Sequence, residues 1–306
     1  MKLDNQLLER KRPKFSVAIQ TDKYRSLVNN TLNDPKRASR FIAAVSSAVA
    51  VNPDLQLCDA GSVLTAALLG ESLNLSPSPQ LGHYYMVPYD VSVKDANGKA
   101  LRDESGNCVK EKRAQFQIGY KGYIQLAIRS GQYRRLNTLA IKEGELVKFD
   151  QLTEDLEINL IADDDEREHT PTIGYYAMFE YHSGFRKAIY WSKKKMENHA
   201  DQYSKAFSLK SYRALQEGKI PDREKWKYSS VWYTNFDAMA IKTMLRQLIS
   251  KWGIMSIEMQ TAMENDMAVF DKDGSSSFED MDPGLPPLPP ESDAPADPPK
   301  VTLDEL

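Results

Sequence analysis

Residues Gln115–Arg135, QFQIGYKGYIQLAIRSGQYRR, restrict the fold more tightly than any other part of the chain. Phe116 and Ile118 alternate with Gln115 and Gln117, the period of a half-buried strand. Gly119 and Gly122 then bracket a turn, and Tyr123, Ile124, Ala127 and Ile128 recur at helical spacing. Gly131 is placed to stop that helix, and Tyr133 opens a second strand. A strand, a short helix and a strand must therefore fold within about twenty residues. Lys121, Gln125 and Arg129 lie one helical turn apart, so they project the same way.

This segment is also strongly charged. Between Lys110 and Lys142 there are eight basic residues and one acidic residue, Glu111. Cations, amides and tyrosines on a rigid element suit a strand of phosphates with unpaired bases. A solvated helix face beside a tyrosine-rich core is the plainer alternative.

The formal net charge of −3 conceals a segregation. Residues 264–306 carry twelve acidic and two basic side chains, which leaves 38 basic and 31 acidic in residues 1–263. A basic body with an acidic tail points to a nucleic-acid partner. The tail is an expected competitor for the basic surface, or simply a solubilising segment. Cys58 and Cys108 form no disulfide framework or zinc spacing, which fits a reducing compartment. The N-terminus shows no apolar signal core, and no run approaches the roughly 20 apolar residues of a membrane span. The expectation is a cytoplasmic protein with no membrane partner.

Along the chain, residues 1–20 read as a flexible basic arm and residues 21–75 as three helices, the last opened by Asp59. A strand over 82–89 leads through an extended hairpin or finger, 90–113, into the strand before the central helix. Further strands are expected around Glu143-Gly144 and over 155–161, with the acidic run Asp163–Glu168 as a loop. Ile173–Tyr181 and Phe185–Trp191 form a hairpin. Ser192 caps a helix whose first turn holds Lys193, Lys194 and Lys195, a placement that opposes the helix dipole unless a polyanion collects there. Residues 208–230 read as basic and irregular, with Trp226 in a polar setting. Thr234 and Asp237 are expected to box the start of a long helix that carries Ile241, Met244, Leu245, Leu248, Ile249 and Trp252 on its apolar side, with Lys242 and Arg246 off it. From Asp271 the composition is that of a disordered acidic, proline-rich tail.

The sequence contains no GxxxxGK[ST], no GxSxG and no metal-ligand spacing among His83, His169, His182 and His199. Glu143, Glu145 and Asp163–Asp165 are the carboxylates from which a metal-dependent nuclease, the alternative function, would be built.

Five blocks resemble the RecT family of phage-type single-strand DNA annealing proteins. They are LGHYYMVPY (81–89), QFQIGYKGYIQLAIRSGQYRRLN (115–137), IKEGEL (141–146), GFRKAIYWSKKKME (184–197) and NFDAMAIKTMLRQLISKWGIMS (235–256), in that order. The link 90–113 is longer than the family's, and 208–230 is an insertion. The resemblance implies an α+β, RecT/Redβ-like annealing fold, with an antiparallel sheet, a β-hairpin and flanking helices, assembling into rings or helical filaments. The division expected is an arm over 1–20, a DNA-binding and oligomerisation domain over 21–270 and a tail over 271–306. It further implies a DNA-binding recombinase that is not an enzyme and anneals complementary strands without ATP. No cofactor is required, and Mg²⁺ acts only as a modulator.

Expected partners are single-stranded DNA, the annealed duplex, further copies of the chain, a double-strand exonuclease and the host single-strand binding protein. The setting is a bacterial cytoplasm, with a phage or prophage origin. The residues expected at the DNA are Gln117, Tyr120, Lys121, Gln125, Arg129, Arg134, Arg135, Lys193, Lys194, Lys195, Lys242 and Arg246.

Overall fold

A computed structural model describes residues 13–93, 99–103, 105–204, 206–270 and 276–278. It is a mixed α+β fold whose small antiparallel sheets are packed among helices. The helical opening comprises α1 (Phe15–Ala18), α2 (Asp22–Leu32), α3 (Pro35–Val51) and α4 (Ala60–Ser72). Asp34 and Asp59 cap α3 and α4 by accepting hydrogen bonds from backbone N–H groups of the first turn. The flexible arm expected over 1–20 is corrected in its second half. Phe15 at the start of α1 and Ile19 just past its end are buried in the main core, and Ala18 is buried as well. The first part of that arm, residues 1–12, lies outside the described residues.

Strands β1 (Tyr84–Ser92) and β2 (Lys110–Ile118) pair in register from Tyr84–Ile118 to Ser92–Lys110. The expected finger is therefore an extension of a long ladder, although residues 94–98 lie outside the described residues. β2 is not the half-buried strand its alternation suggests. Gln115 is as fully buried as Phe116, and its amide donates to the Met267 carbonyl at 2.7 Å. The second side of β2 is covered by the C-terminal segment, where β8 (Ala268–Phe270) pairs at Gln115–Val269 and β9 (Ser276–Phe278) follows it. The order of this sheet is β1-β2-β8-β9.

From β2 the chain enters α5 (Tyr120–Arg129) and β3 (Tyr133–Lys142), with Gly131 at φ +67° between them. β3 pairs with β6 (Thr172–Tyr181), and β6 with β7 (Arg186–Ser192). A short ribbon, β4 (Leu146–Phe149) and β5 (Leu156–Ile158), covers part of the outer face of that sheet around Ile141, Tyr176 and Ala188. The acidic run is a helix, α6 (Asp164–His169), because Asp163 caps it and three further acids fill its first turn.

On the inner face of the sheet lie α7 (Lys193–Tyr203), α8 (Leu209–Gln216), α9 (Val231–Thr234) and α10 (Phe236–Trp252). They enclose a second core of Tyr175, Phe179, Met196, Phe207, Phe236, Met244 and Leu248. The irregular segment 208–230 thus contains α8 and a 3-10 turn over Asp222–Tyr228. Asn235, not Thr234, caps α10, and Asp237 instead accepts from the hydroxyls of Thr172 and Tyr175. α11 (Ile257–Glu264) completes the described helices. Among the described residues no helix is long and apolar enough to cross a membrane.

Candidate nucleic-acid interface

Two glycines seat α5. A β-carbon on Gly119 would lie 2.1 Å from the Gly82 carbonyl oxygen, and one on Gly122 would lie 2.1 Å from that of His83. Only glycine permits this approach of backbone to backbone. The first turn of α5 is therefore pressed against the entry to β1, with Tyr120 and Lys121 turned to solvent. Arg129, at the other end of the helix, is exposed and donates to the Leu73 carbonyl at 3.0 Å. Gln125, between them, is half-buried.

His83 registers the field of this face. Burial lowers its pKa, and the charges of Arg129 and Lys121 lower it further. Its Nδ1 accepts from the Ser76 N–H at 3.3 Å, so the neutral ring carries its proton on Nε2. Gln117 is less available than expected, since its amide donates to the Gln115 side chain at 2.8 Å.

α5 also forms one wall of a cleft of about 600 Å³. Ile124, Ala127 and Ile128 line that wall, and Asn137, Tyr176 and Met178 line the side formed by β3 and β6. Ile128, expected to face the core, is instead exposed, and Leu126 occupies the buried position. Arg134 and Arg135 lie in the cleft lining. They share one carboxylate, that of Glu180, at 3.1 and 3.7 Å, and keep 56% and 67% of their side-chain surface open. Two guanidinium groups on one carboxylate leave net positive charge beside an apolar floor.

The lysines of α7 stand elsewhere. Ser192 caps the helix, Lys194 and Lys195 are exposed, and Lys193 is half-buried. The Lys195 ammonium lies 4.5 Å from the centre of the Trp191 ring.

Lys242 and Arg246 correct the sequence reading. Each is only 7% exposed, and both are paired with the buried Asp266 carboxylate, at 3.4 and 3.3 Å. They lie off the apolar stripe of α10, but the C-terminal segment covers that side of the helix as well. What they line is a small cavity of about 50 Å³ shared with His199, Tyr203 and Trp232. The expected residues thus fall in separate places: Arg134 and Arg135 in the α5–β3 cleft, Lys121 and Arg129 beside His83, and the α7 lysines by Trp191.

Asp266 itself gave no signal in the sequence, where it opens an acidic tail. Its carboxylate also accepts from the Ile118 N–H and the Tyr123 hydroxyl, both at 3.0 Å. The segment thus anchors both ends of the turn from β2 into α5. Nothing in the sequence placed His83 beside this helix.

The nuclease carboxylates are occupied differently. Burial alone would raise the Glu145 carboxyl. Hydrogen bonds from Arg167 and from the Lys142 and Ile161 N–H groups outweigh this and bring it below its ordinary value. Arg167 holds it through two nitrogens, at 2.6 and 3.2 Å. Asp163 is engaged as the cap of α6, while Glu143 is exposed.

The sequence has recognisable relatives among known proteins. A 38% identical relative over 228 residues is the uncharacterized protein YqaK of Bacillus subtilis (strain 168), with 74% of this chain and 64% of the relative aligned. Protein RecT of Escherichia coli (strain K12) is 28% identical over 229 residues, 75% of this chain and 71% of that protein. The chain therefore spans somewhat less than two thirds of the length of the Bacillus relative. The RecT family pattern matches residues 39–280, which take in β1, α5, the cleft and the Asp266 anchor, and the chain belongs to the RecT family.

Proposed function

We propose that this protein binds single-stranded DNA and anneals complementary strands without ATP, as an oligomer that holds the new duplex in a basic groove. The observation that carries the reading is the α5–β3 cleft. It combines an apolar floor with Arg134 and Arg135, and the helix that walls it carries the exposed Lys121 and Arg129. Family membership and the relative named RecT support the same class of activity.

Annealing makes and breaks no covalent bond, so the protein needs no nucleophile and acts as a template rather than an enzyme. Arg134, Arg135, Lys121 and Arg129 neutralise phosphates and lower the repulsion between two strands. Tyr120, Gln125 and Gln117 stand nearer sugars and bases. Lys193, Lys194 and Lys195 extend the phosphate path at α7, whereas Lys242 and Arg246, buried against Asp266, stay out of it. Ordering the bases in a line removes search entropy, while pairing and stacking supply the drive. The complementary strand reads the sequence, so the protein itself shows little preference. Mg²⁺ modulates the rate by screening phosphates. An exonuclease that exposes single strands and the host single-strand binding protein are the partners such an activity requires.

The test is the annealing of two complementary labelled oligonucleotides by the purified protein, without ATP and with or without Mg²⁺. Accelerated pairing of intact strands supports the reading. No acceleration, or strands shortened in Mg²⁺, overturns it and returns attention to Glu143 and Asp163.

A further inference from the structure

Two aromatic rings outside the cleft are held in fixed orientation and yet left open. Trp252 ends α10 and is 49% exposed, with the Lys187 ammonium 4.0 Å from its ring centre. Phe185 follows the turn between β6 and β7 and is also 49% exposed. It stacks on Tyr181, with centroids 5.8 Å apart and planes 21° apart.

Tyr181 fixes both positions, because its hydroxyl donates to the Trp252 carbonyl at 3.3 Å and accepts from the Ile254 N–H. Tyr133 joins this group to the cleft. It lines the cleft, meets the Tyr181 ring edge-on at 5.1 Å and donates to the Ile254 carbonyl at 3.0 Å. An aromatic seam therefore runs from the floor beside Arg134 through Tyr133 and Tyr181 to Phe185, and a hydrogen bond from Tyr181 ties the Trp252 backbone to it.

We infer that Phe185 and Trp252 form a stacking platform for unpaired nucleobases of a strand leaving the α5–β3 cleft. This rests on the annealing reading and adds the site that would take the bases. Every base offers a π-face, so such a platform is tolerant of sequence, as annealing demands. Rings already fixed by Tyr181 and Lys187 lose little freedom when a base stacks on them. Of the neighbouring cations, Lys187 is held by Glu154, while Arg134 and Arg186 keep open surface beside their partners Glu180 and Asp155, where a phosphate can approach.

The experiment compares binding of a thymidine oligonucleotide with an abasic sugar-phosphate strand of equal length, over a salt series. Wild-type protein is expected to prefer the base-bearing strand. Phe185→Leu and Trp252→Leu are each expected to lose about tenfold of that preference with an unchanged salt slope. Trp252→Tyr, which keeps a ring, retains it, and circular-dichroism melting confirms that the variants fold.

Folded leucine variants that keep the full preference overturn the inference. So do variants that keep it while shifting the sedimentation of DNA-free protein, which would assign the patch to contact between copies. Wild-type protein that binds both strands equally overturns this inference alone. Binding to neither overturns the annealing reading with it.

Discussion

The Tyr123 hydroxyl donates a hydrogen bond to the Asp266 carboxylate at 3.0 Å, joining residues 143 positions apart. Tyr123 is fully buried on α5, and Asp266 has no exposed side-chain surface. The same carboxylate carries Lys242 and Arg246 of α10, so one acidic group ties the helix proposed to face DNA to the longest helix of the second core.

Asp266→Ala is expected to cost about 3–5 kcal/mol, because it removes the carboxylate that two buried cations share. Tyr123→Phe removes one hydrogen bond and should cost about 1–2 kcal/mol. Urea unfolding measures both. A loss for Asp266→Ala no larger than that for Tyr123→Phe would show that Asp266 is not the anchor.

Replacing Arg134 and Arg135 together by alanine should weaken single-strand binding and lower the magnitude of the salt slope by about 0.7 for each phosphate no longer neutralised. The unfolding midpoint should move little, since both side chains are largely exposed and surface ion pairs contribute about 0–1 kcal/mol. An unchanged slope would remove the two arginines from the interface.

Gly122→Ala is expected to destabilise the fold, because its β-carbon would meet a backbone oxygen that cannot swing away. Gly184→Ala is the control. Nothing lies within 4 Å of a β-carbon there, and only its φ of +88° resists, so the loss should be smaller. Thermal melting of the two proteins distinguishes a clash from backbone strain.

Glu145 makes stability depend on acid. Its folded pKa lies below the ordinary 4.5, so the unfolded chain binds the proton more readily. The contribution is therefore complete above about pH 4.5 and is lost as the pH falls from there through the folded value. Urea midpoints between pH 7 and pH 3 should fall on the acid side, and Glu145→Gln should flatten that fall while lowering the plateau.

His83 offers a readout of DNA at the α5 face. Phosphates that neutralise Lys121 and Arg129 would relieve part of the field that depresses its pKa. Binding should then take up a fraction of a proton and tighten as the pH falls toward the titration of the ring. Calorimetry in buffers of different ionisation enthalpy measures the uptake. Its absence, or its persistence in His83→Gln, would dissociate His83 from the interface.

Local chemistry made much of the fold legible. Asp34, Asp59 and Ser192 cap the helices they precede, Gly131 turns the chain out of α5, and the β6–β7 hairpin follows its alternation. Sequence and structure part where distant segments decide burial. Gln115, Lys242 and Arg246 look like surface residues until residues 266–269 close over them. Ile128 fits an apolar stripe, yet the cleft leaves it uncovered. Trp252 fits the stripe of α10 in the same way, although the helix end carries it to the surface. Residue types and spacing made Arg134 and Arg135 candidates, and both line the cleft, whereas their shared carboxylate depends on strand register.

The closure by Asp266 also bears on how the chain is made. A ribosome delivers α5 and α10 well before it delivers the acid that joins them. A nascent chain halted before that residue holds Lys242 and Arg246 without their carboxylate and leaves one side of β2 bare. Helices α1–α4 can pack as they emerge, but the final shape of the α5 turn must wait for Asp266 to leave the exit tunnel.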